Sequence, residues 1–399
     1  MSGRFINKIL VLDDDAFVLK MTSRILEGLG CTSVTTCVSG VAALELLAIP
    51  DRCPELILLD LNMPGMDGVE FVRHLVDHRY TGSLILMSGE SESLLQASEK
   101  LVRAHNISVL GRISKPATPE VLDEMLKKFA LTYRNSLHSG NNAQREEELR
   151  AAIANGELIN YYQPKVSVSS GKVEGVEALL RWRSPQDGMV QPYEFLGMAE
   201  SSGLIHDLTR TILSNAFTQS KAWLDEGLSL RMAVNVSVFN LRSLDFADSV
   251  SVLAADAGVP PQNVELEVAE SWLPMHDMRA TLETLTRLHM KRFRLTIDEF
   301  GTGYLTINQL RGLPFDEIKI DRDFVNRIWI DAKARARYEA HLAVAKQLNL
   351  KICAVGVENI DDWHILSQTG CDYAQGSFIA KPMPAGELAG WMKAWQLRL

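Results

Sequence analysis

The chain has 399 residues, of which 46% are hydrophobic and 23% are charged, and its formal net charge is -9. This length is sufficient for two domains with separate hydrophobic cores. The acidic balance argues against general binding to nucleic acid or to anionic membranes. No apolar run approaches the roughly 20 residues of a membrane span. The N-terminal segment MSGRFINKILVLDDD lacks the apolar core of a signal peptide, so we expect a cytoplasmic protein.

Cysteine usage agrees with a reducing compartment. The chain has five cysteines, an odd number, and no CxxC pair. We therefore expect reduced, mostly buried thiols and neither a disulfide framework nor a zinc site.

The first 130 residues alternate between strand patterns and helix patterns. Five short apolar runs read as strands: 8–12, 33–38, 56–60, 83–87 and 107–111. Helical periodicity fills the intervals, as in AFVLKMTSRILEGLG, which stops at Gly30. Five strands that alternate with helices predict a parallel, doubly wound α/β sheet.

A segment rich in Ser, Gly and Asn, NSLHSGNNAQREEELR, follows this region and is the best linker candidate. We predict a first domain over 1–132, a linker over 133–148 and a second domain over 149–399. The second domain has eight strand candidates: 158–168, 172–182, 230–237, 263–270, 291–299, 316–321, 350–357 and 372–378. Eight strands over about 250 residues match the size of a (β/α)8 barrel.

Acidic residues in the first domain lie at the predicted carboxyl ends of strands, where doubly wound sheets bind ligands. Asp13 and Asp14 follow the first strand, Asp60 the third, Ser88 ends the fourth, and Lys115 follows the fifth. Clustered carboxylates with a hydroxyl and a lysine suit Mg²⁺ and a phosphoryl group, and Asp60 could act as the nucleophile. The alternative is that such acids only cap the following helices, as Asp15 is placed to do.

The stretches VLDDD, LLDLNMPGMDG, LMSGE and SKP resemble the response-regulator receiver family over residues 5–130. The resemblance implies Asp13 and Asp14 as Mg²⁺ ligands, with a backbone carbonyl from Asn62. It also implies Asp60 as the phosphoacceptor, Ser88 as the switch hydroxyl and Lys115 as the phosphate contact. A cognate sensor histidine kinase is the expected partner. Arg112 replaces an aromatic switch residue, which leaves the relay of phosphorylation open.

In barrels, catalytic residues come from the carboxyl ends of several strands. The polar residues at those ends form one set: Gln163, Glu177, Asn235, Glu267, Glu270, Asp298, Glu299, Lys319, Asp321 and Gln375. Arg181 lies on the same face of its strand as Glu177 and could simply pair with it. That pairing leaves Glu267 and Asp298 unexplained. Oxygen ligands from Glu177, Asn235, Glu267 and Asp298 suit Mg²⁺ or Mn²⁺, and two such ions would promote phosphoryl displacement.

Residues 150–399 strongly resemble the EAL family of cyclic-di-GMP phosphodiesterases. The resemblance is carried by YYQPKV, EALLRW, VNVS, ELEVAES, DEFGTGY, IKID, GVEN and QGSFIAKPMP. It implies metal-dependent hydrolysis of cyclic di-GMP to linear pGpG, with two Mg²⁺ or Mn²⁺ ions and a homodimer. The implied metal ligands are Glu177, Asn235, Glu267, Asp298 and Glu299. The implied substrate contacts are Gln163, Arg181, Asp321 and Gln375. Lys319 would position the attacking water, and Glu270 would stabilise the loop after the fifth strand.

Two departures from the family pattern affect the chemistry. Glu299 stands where a second aspartate is common and is one methylene longer. Val355 stands directly before GVE, where the family has an acid that serves as general base and metal ligand. Glu358 is the family's second acid in its own place, so it does not replace the missing one. Loss of a general base costs about 10²–10⁴ in rate.

Two hypotheses remain from the sequence. The first is a receiver-controlled cyclic-di-GMP phosphodiesterase whose turnover is impaired at Val355. The second is a phosphorylation-controlled cyclic-di-GMP receptor that signals to a protein partner without hydrolysis. A DNA-binding response regulator is disfavoured, because no helix-turn-helix segment is left over and the charge is acidic.

Overall fold

We describe a computed structural model of the chain. The described residues are 8–47, 49, 53–78, 80, 82–89, 102, 107–123, 125–127, 129, 142–273, 278–301 and 305–398. Within them no helix is long and apolar enough to cross a bilayer. The chain divides into two compact units, Met1–Asn142 and Ala143–Leu399, which are treated separately below.

The first unit is a five-stranded parallel sheet with strand order β2-β1-β3-β4-β5. Its strands are β1 (Ile9–Leu12), β2 (Val34–Cys37), β3 (Leu56–Asp60), β4 (Ser83–Ser88) and β5 (Ser108–Ser114). Its helices with defined bounds are α1 (Ala16–Gly28), α2 (Gly40–Leu47) and α3 (Gly68–Asp77). The predicted doubly wound sheet is confirmed, and β5 extends three residues beyond the predicted end.

Burial on both faces explains the continuous apolar runs of the central strands. β1 alternates between two apolar clusters: Ile9 packs into one and Leu10 into the other. The helices begin at side-chain caps. Asp15 accepts a hydrogen bond of 2.8 Å from the backbone N–H of Phe17, and Asp67 accepts one from Glu70. The capping role considered for Asp15 is therefore present.

The second unit contains an eight-stranded closed barrel, as predicted. Its strands run in the order β6-β14-β13-β12-β11-β10-β9-β7, and pairing of β6 with β7 closes the ring. The strands of this unit are β6 (Leu158–Ser167), β7 (Val173–Ser184), β8 (Gly188–Val190), β9 (Arg231–Asn235), β10 (Val264–Ala269), β11 (Arg294–Phe300), β12 (Glu317–Ile320), β13 (Lys351–Val355) and β14 (Tyr373–Gln375).

Helices surround the barrel and cover its apolar outer face. The α-helices of this unit are α4 (Asn142–Asn155), α5 (Leu196–Ser201), α6 (Ile205–Asp225), α7 (Val238–Leu241), α8 (Phe246–Asp256), α9 (Met278–Met290), α10 (Ile307–Leu310), α11 (Arg322–Val325), α12 (Ala332–Gln347), α13 (Ile360–Thr369) and α14 (Ala385–Gln396). Short 3₁₀ turns lie at Pro192–Glu194, Pro261–Asn263 and Glu270–Trp272.

The barrel differs from a uniform (β/α)8 ring at its first strand. β6 runs antiparallel to both of its neighbours, β7 and β14. The five residues 168–172 that separate β6 from β7 suffice for a hairpin, whereas a parallel crossover needs a dozen or more. β7 also continues past the barrel and pairs with β8, which the sequence did not indicate.

The five cysteines are unpaired, as expected. Cys31, Cys353 and Cys371 are buried, and Cys37 and Cys53 are half-buried. Burial raises the pKa of the Cys353 thiol well above its ordinary value, so this group stays protonated.

Candidate functional site

The first candidate site lies at the carboxyl edge of the five-stranded sheet. Asp13 follows β1 and Asp60 ends β3, and both are buried, whereas Asp14 is exposed. These three side chains each place a carboxylate oxygen within 4.8 Å of the others. Such a group of hard oxygen donors fits Mg²⁺, the ion expected from the sequence.

Lys115 provides the cation at this edge. Its Nζ lies 2.6 Å from Asp13 Oδ2 and 2.8 Å from Asp60 Oδ2. Burial raises the pKa of the Asp60 carboxyl above its ordinary value, and Lys115 only partly opposes that shift. Asn62 lies beside the site and donates its backbone N–H to Asp60 Oδ1 at 3.3 Å, while Ser88 is buried at the end of β4. The structure therefore brings all the predicted residues of this site to one edge.

The second candidate site lies at the mouth of the barrel. Each barrel strand contributes one side chain to a layer there: Gln163, Glu177, Asn235, Glu267, Asp298, Lys319, Val355 and Gln375. Glu177 reaches the mouth although it lies in the middle of β7, because only the first half of β7 belongs to the ring and the second half extends beyond it. The register climbs around the barrel, with Asn235 opposite Glu267 and Ala269 opposite Asp298. This stagger follows from the strand tilt that closes a barrel.

Lys319 is the centre of this layer and is almost completely buried. Its Nζ lies 2.7 Å from Glu267 Oε2, 2.8 Å from Glu177 Oε2 and 3.6 Å from Asp298 Oδ1. The same three acids each bring a carboxylate oxygen within 4.8 Å of the others. One ammonium group thus faces three carboxylates, and Glu299 adds a fourth beside them.

Amide side chains complete the contacts of Glu177. Asn235 Nδ2 donates to Glu177 Oε1 at 2.7 Å, and Gln375 Nε2 donates to Glu177 Oε2 at 2.8 Å. Gln375 also donates to Gln163 Oε1 at 3.0 Å, and Gln163 donates to the Ala380 carbonyl at 2.9 Å. The lysine and the two amides leave Glu177 well supported as an ionised ligand.

The pKa values show which charges lack compensation. Burial opposes ionisation of Glu177, but Lys319 and the amide donors outweigh it and lower its pKa. Burial, together with repulsion from Glu177, raises the pKa of Glu267 well above its ordinary value. Burial likewise raises the pKa of Asp298 and of Glu299. A surplus of clustered carboxylates, of which Glu177 and Glu267 are buried, cannot be neutralised by one lysine and fits a site for divalent cations.

Val355 is the apolar member of the layer. It ends β13, where it lies beside Gln375 of β14 in the parallel register. Ile352 and Ala354 pack into the outer hydrophobic core, so the alternate residues Cys353 and Val355 face the barrel interior. Glu358 is exposed beyond the strand and lies 3.5 Å from Asn326 Nδ2. No other acid therefore fills the Val355 position among the described residues.

Asp298 and Glu299 lie on a β-bulge. The pairing of β11 with β12 slips between Ile297 and Phe300, and Glu299 adopts a left-handed backbone with φ 55°. This conformation costs a non-glycine residue about 1–2 kcal/mol, so surrounding contacts must hold it. Glu270 supplies two, because its Oε2 accepts from Gly301 N at 2.8 Å and its Oε1 from Leu305 N at 3.1 Å. The rest of the predicted loop, residues 302–304, lies outside the described residues.

Two predicted substrate residues, Arg181 and Asp321, make their described hydrogen bonds to groups other than the mouth carboxylates. Arg181 Nη1 donates to the Leu180 carbonyl at 2.7 Å, and its guanidinium lies 5.9 Å from the Tyr161 ring centre. Glu177 acts on Arg181 electrostatically, but no direct ion pair or hydrogen bond joins the two side chains among the described contacts. Asp321 caps α11 by accepting from Asp323 N at 2.8 Å.

A second charged layer lies deeper in the barrel and was missed by the sequence reading. Lys165 Nζ lies 2.8 Å from Glu265 Oε1 and 2.8 Å from Glu317 Oε1, and all three side chains are buried. Thr296 also donates to Glu265 at 2.7 Å. Alternation could have revealed this layer, because Glu265 and Glu317 lie two residues before Glu267 and Lys319 and face the same way.

The fold and these two acidic centres define a class of protein: a receiver-type sheet joined in one chain to a carboxylate-lined barrel. Comparison with known proteins gives the family. The EAL domain family matches residues 146–382, and the response regulator receiver domain family matches residues 9–127. The chain belongs to the EAL family and carries a response regulator receiver domain ahead of the EAL domain.

Two named relatives match the chain to different extents. The cyclic di-GMP phosphodiesterase RocR of Pseudomonas aeruginosa is 30% identical over 380 residues, which cover 94% of this chain and 96% of RocR. The bifunctional diguanylate cyclase/cyclic di-GMP phosphodiesterase MucR of the same organism is 39% identical, over 62% of this chain and 37% of MucR.

Solved structures agree with the barrel assignment. A structure described as the PaMucR phosphodiesterase in complex with c-di-GMP has a TM-score of 0.58 at 39% identity, and the match covers 61% of this chain and 99% of that one. The EAL enzyme Bd1971, with cAMP and cyclic di-GMP bound, has a TM-score of 0.59 at 25% identity over 69% of this chain and 77% of that one.

Proposed function

We propose that this chain is a response regulator whose barrel binds cyclic di-GMP and hydrolyses it to linear pGpG, with turnover impaired at Val355. The observation that carries the proposal is the convergence of Glu177, Glu267 and Asp298 around Lys319 at the barrel mouth. The names of the relatives RocR and MucR supply the reaction class.

Different residues of the chain would have different roles in this reaction. Gln163, Arg181, Asp321 and Gln375 would hold the substrate at the rim. The Lys319 ammonium would donate a hydrogen bond to the attacking water, whose oxygen bonds to phosphorus as the bond from phosphorus to the 3′ oxygen breaks. The leaving oxygen takes up a proton, and the water must lose one. Val355 cannot accept that proton, so this step lacks its base.

Glu177, Asn235, Glu267, Asp298 and Glu299 would hold two Mg²⁺ or Mn²⁺ ions. Such ions stabilise the charge on attacking and leaving oxygens in phosphoryl displacement. Glu270 would support the ligands by fixing the backbone at Gly301 and Leu305.

The second candidate function is a cyclic-di-GMP receptor that acts through a protein partner without hydrolysis. Val355 is the observation that favours it. The polar side chains needed for binding are kept at the other positions of the mouth layer, whereas the position of the general base is apolar. In both cases Asp60 would accept a phosphoryl group from a sensor histidine kinase, with Mg²⁺ held by Asp13, Asp14 and the Asn62 carbonyl. Ser88 and Lys115 would contact the phosphoryl group. We also propose that the chain forms a homodimer through its barrel unit.

The test is cyclic-di-GMP binding by calorimetry and pGpG formation by chromatography, with Mn²⁺, for this chain and for Val355→Glu. We expect binding by both, and turnover at least about 10² faster in Val355→Glu because the general base is restored. Val355→Gln is the matched control, since it has the same size without a proton acceptor.

The outcomes separate the two functions. Turnover by Val355→Glu supports the impaired enzyme, whereas binding without turnover in that variant supports the receptor. Absence of binding by either form contradicts both. Receiver control is tested by repeating the assays with a beryllofluoride phosphoryl mimic and with Asp60→Ala. Equal binding and turnover in all forms would remove the regulatory part of the proposal.

A further inference from the structure

The bulge that carries Asp298 and Glu299 is held from two sides. On the β10 side, Glu270 accepts from the backbone amides of Gly301 and Leu305. On the α12 side, Phe300 and Gly301 lie against His341, a residue with no role in the chemistry above.

His341 packs against the residues that follow the bulge. Its ring centre lies 5.5 Å from that of Phe300, with the planes at 82°, and 4.5 Å from that of Phe324, at 56°. The buried Phe300 ring is therefore clamped edge-on directly after Glu299. Phe324 backs His341 from α11, so the imidazole has little freedom to turn.

The close approach of the His341 ring requires a glycine at position 301. Its φ is 101°, and a Cβ at this position would lie 2.6 Å from His341 Nε2 and 2.8 Å from Phe324 Cε2. The backbone thus approaches the imidazole as closely as a glycine permits. Burial lowers the pKa of His341 below its ordinary value of 6.5, with Glu270 and Arg337 as the charged groups that act on it. A neutral imidazole therefore faces Gly301 at neutral pH.

We propose that His341 is a positioning residue for the carboxylates of Asp298 and Glu299. His341 acts by packing against Phe300 and Gly301, which holds them next to α12. Glu270 holds the same backbone from β10 by accepting hydrogen bonds from Gly301 and Leu305. The bulge carries both acids, and the left-handed backbone at Glu299 is strained, so it needs support from the surrounding contacts. The part of this inference that concerns metal binding rests on the proposed function of the barrel.

The first experiment measures hydrogen exchange at the Gly301 and Leu305 amides in the full chain. His341→Ala is expected to raise their exchange by about tenfold, because the clamp on the bulge is removed. His341→Phe keeps a flat ring and should stay within about twofold of the original chain. His364→Ala, an exposed histidine on α13, is the matched control and should change nothing. Unchanged exchange in His341→Ala would overturn the proposal whatever the barrel binds.

The second experiment titrates Mn²⁺ by calorimetry in an Asp14→Asn background, which removes a carboxylate of the receiver site. His341→Ala should weaken Mn²⁺ binding by the barrel about 10-fold or more, as loss of ligand-orienting neighbours does. His341→Phe should restore most of it. Wild-type affinity in His341→Ala would overturn the positioning role. Failure of the original chain to bind Mn²⁺ would instead contradict the proposed function, while the exchange result still decides whether His341 holds the bulge.

Discussion

Lys319 Nζ lies 2.7 Å from Glu267 Oε2, and both side chains are almost fully removed from solvent. Lysine is thus the counter-ion that lets several acids be buried in one layer. An unpaired charge in such a position is far more costly than the pair itself is favourable.

Replacing Lys319 by methionine should therefore destabilise the metal-free protein. We expect the free energy of unfolding at neutral pH to fall by about 3–5 kcal/mol, the usual effect of breaking a buried ion pair. Added Mn²⁺ should recover part of the loss, because a ligand that binds only the folded state stabilises it. Urea unfolding with and without Mn²⁺ measures both effects. An unchanged unfolding midpoint without metal would show that the acids carry no net charge there.

Glu299 places a carboxylate at the mouth of the barrel, and its left-handed backbone makes it unfavourable for the stability of the fold. Glu299→Gly removes a left-handed non-glycine residue and a carboxyl whose pKa is raised by burial and by Asp298. We expect stability to rise by up to about 1 kcal/mol, while Mn²⁺ binding weakens.

Arg292→Gly is the matched control for Glu299→Gly, because Arg292 has φ 69° and lies outside the site. It should raise stability without changing Mn²⁺ affinity. Equal loss of Mn²⁺ binding in both variants would mean that backbone strain, not the Glu299 carboxylate, matters to the metal.

The deeper layer of Lys165, Glu265 and Glu317 holds two carboxyls with opposite pKa shifts, since burial and Glu265 raise the pKa of Glu317. Burial opposes ionisation of Glu265, but Lys165 more than offsets it and lowers the pKa to about 2. A depressed carboxyl pKa stabilises the fold above the unfolded value of 4.5 and loses that effect as pH falls towards 2. Lys165→Met should cost about 3–5 kcal/mol at neutral pH.

The combined variant Lys165→Met, Glu265→Gln and Glu317→Gln tests whether the cost comes from unpaired charge. It should lose less stability than Lys165→Met alone, because no carboxylate is left unpaired. Unfolding titrations from pH 3 to pH 7 compare the variants. A triple variant as unstable as the single one would assign the cost to packing instead.

His341 should give the folded state a distinct pH dependence. Burial lowers its pKa from 6.5, so between the folded and unfolded values only the unfolded state carries the proton. This contribution to stability is complete above pH 6.5 and declines as pH falls through that window. The free energy of unfolding of the original chain, relative to that of His341→Phe, should therefore fall from pH 7.5 to pH 5. A constant difference would contradict the lowered pKa.

The sequence predicted both folds because strand runs and helix periodicity are local properties. Residues that it named at strand ends lie close together in both units, since strand ends of one sheet meet at one edge, and their roles stay predictions. The reversal of β6 was missed, because apolar alternation is the same in either strand direction and only the short interval 168–172 carried the signal.

Contacts between distant elements could not be predicted. Lys165 contacts strands that lie 100 and 152 residues away; alternation indicates that Glu265 and Glu317 face the barrel interior, but not that Lys165 is their partner. The His341 clamp depends on where α12 lies against β11. The left-handed Glu299 likewise arises from a slip in pairing that becomes visible only when both strands are placed.

The reversed direction of β6 has a mechanical consequence. Because Leu158 pairs with Trp182 and Gln163 with Glu177, the N-terminal end of β6 points towards the mouth. The polypeptide that arrives from α4 therefore enters the barrel at the rim that carries the candidate site, whereas a parallel first strand would bring it in at the opposite end. Tension or torque applied to α4 would act first on the β6–β7 hairpin that holds Gln163 and Glu177, because Gln163 lies only eight residues after the end of α4 at Asn155.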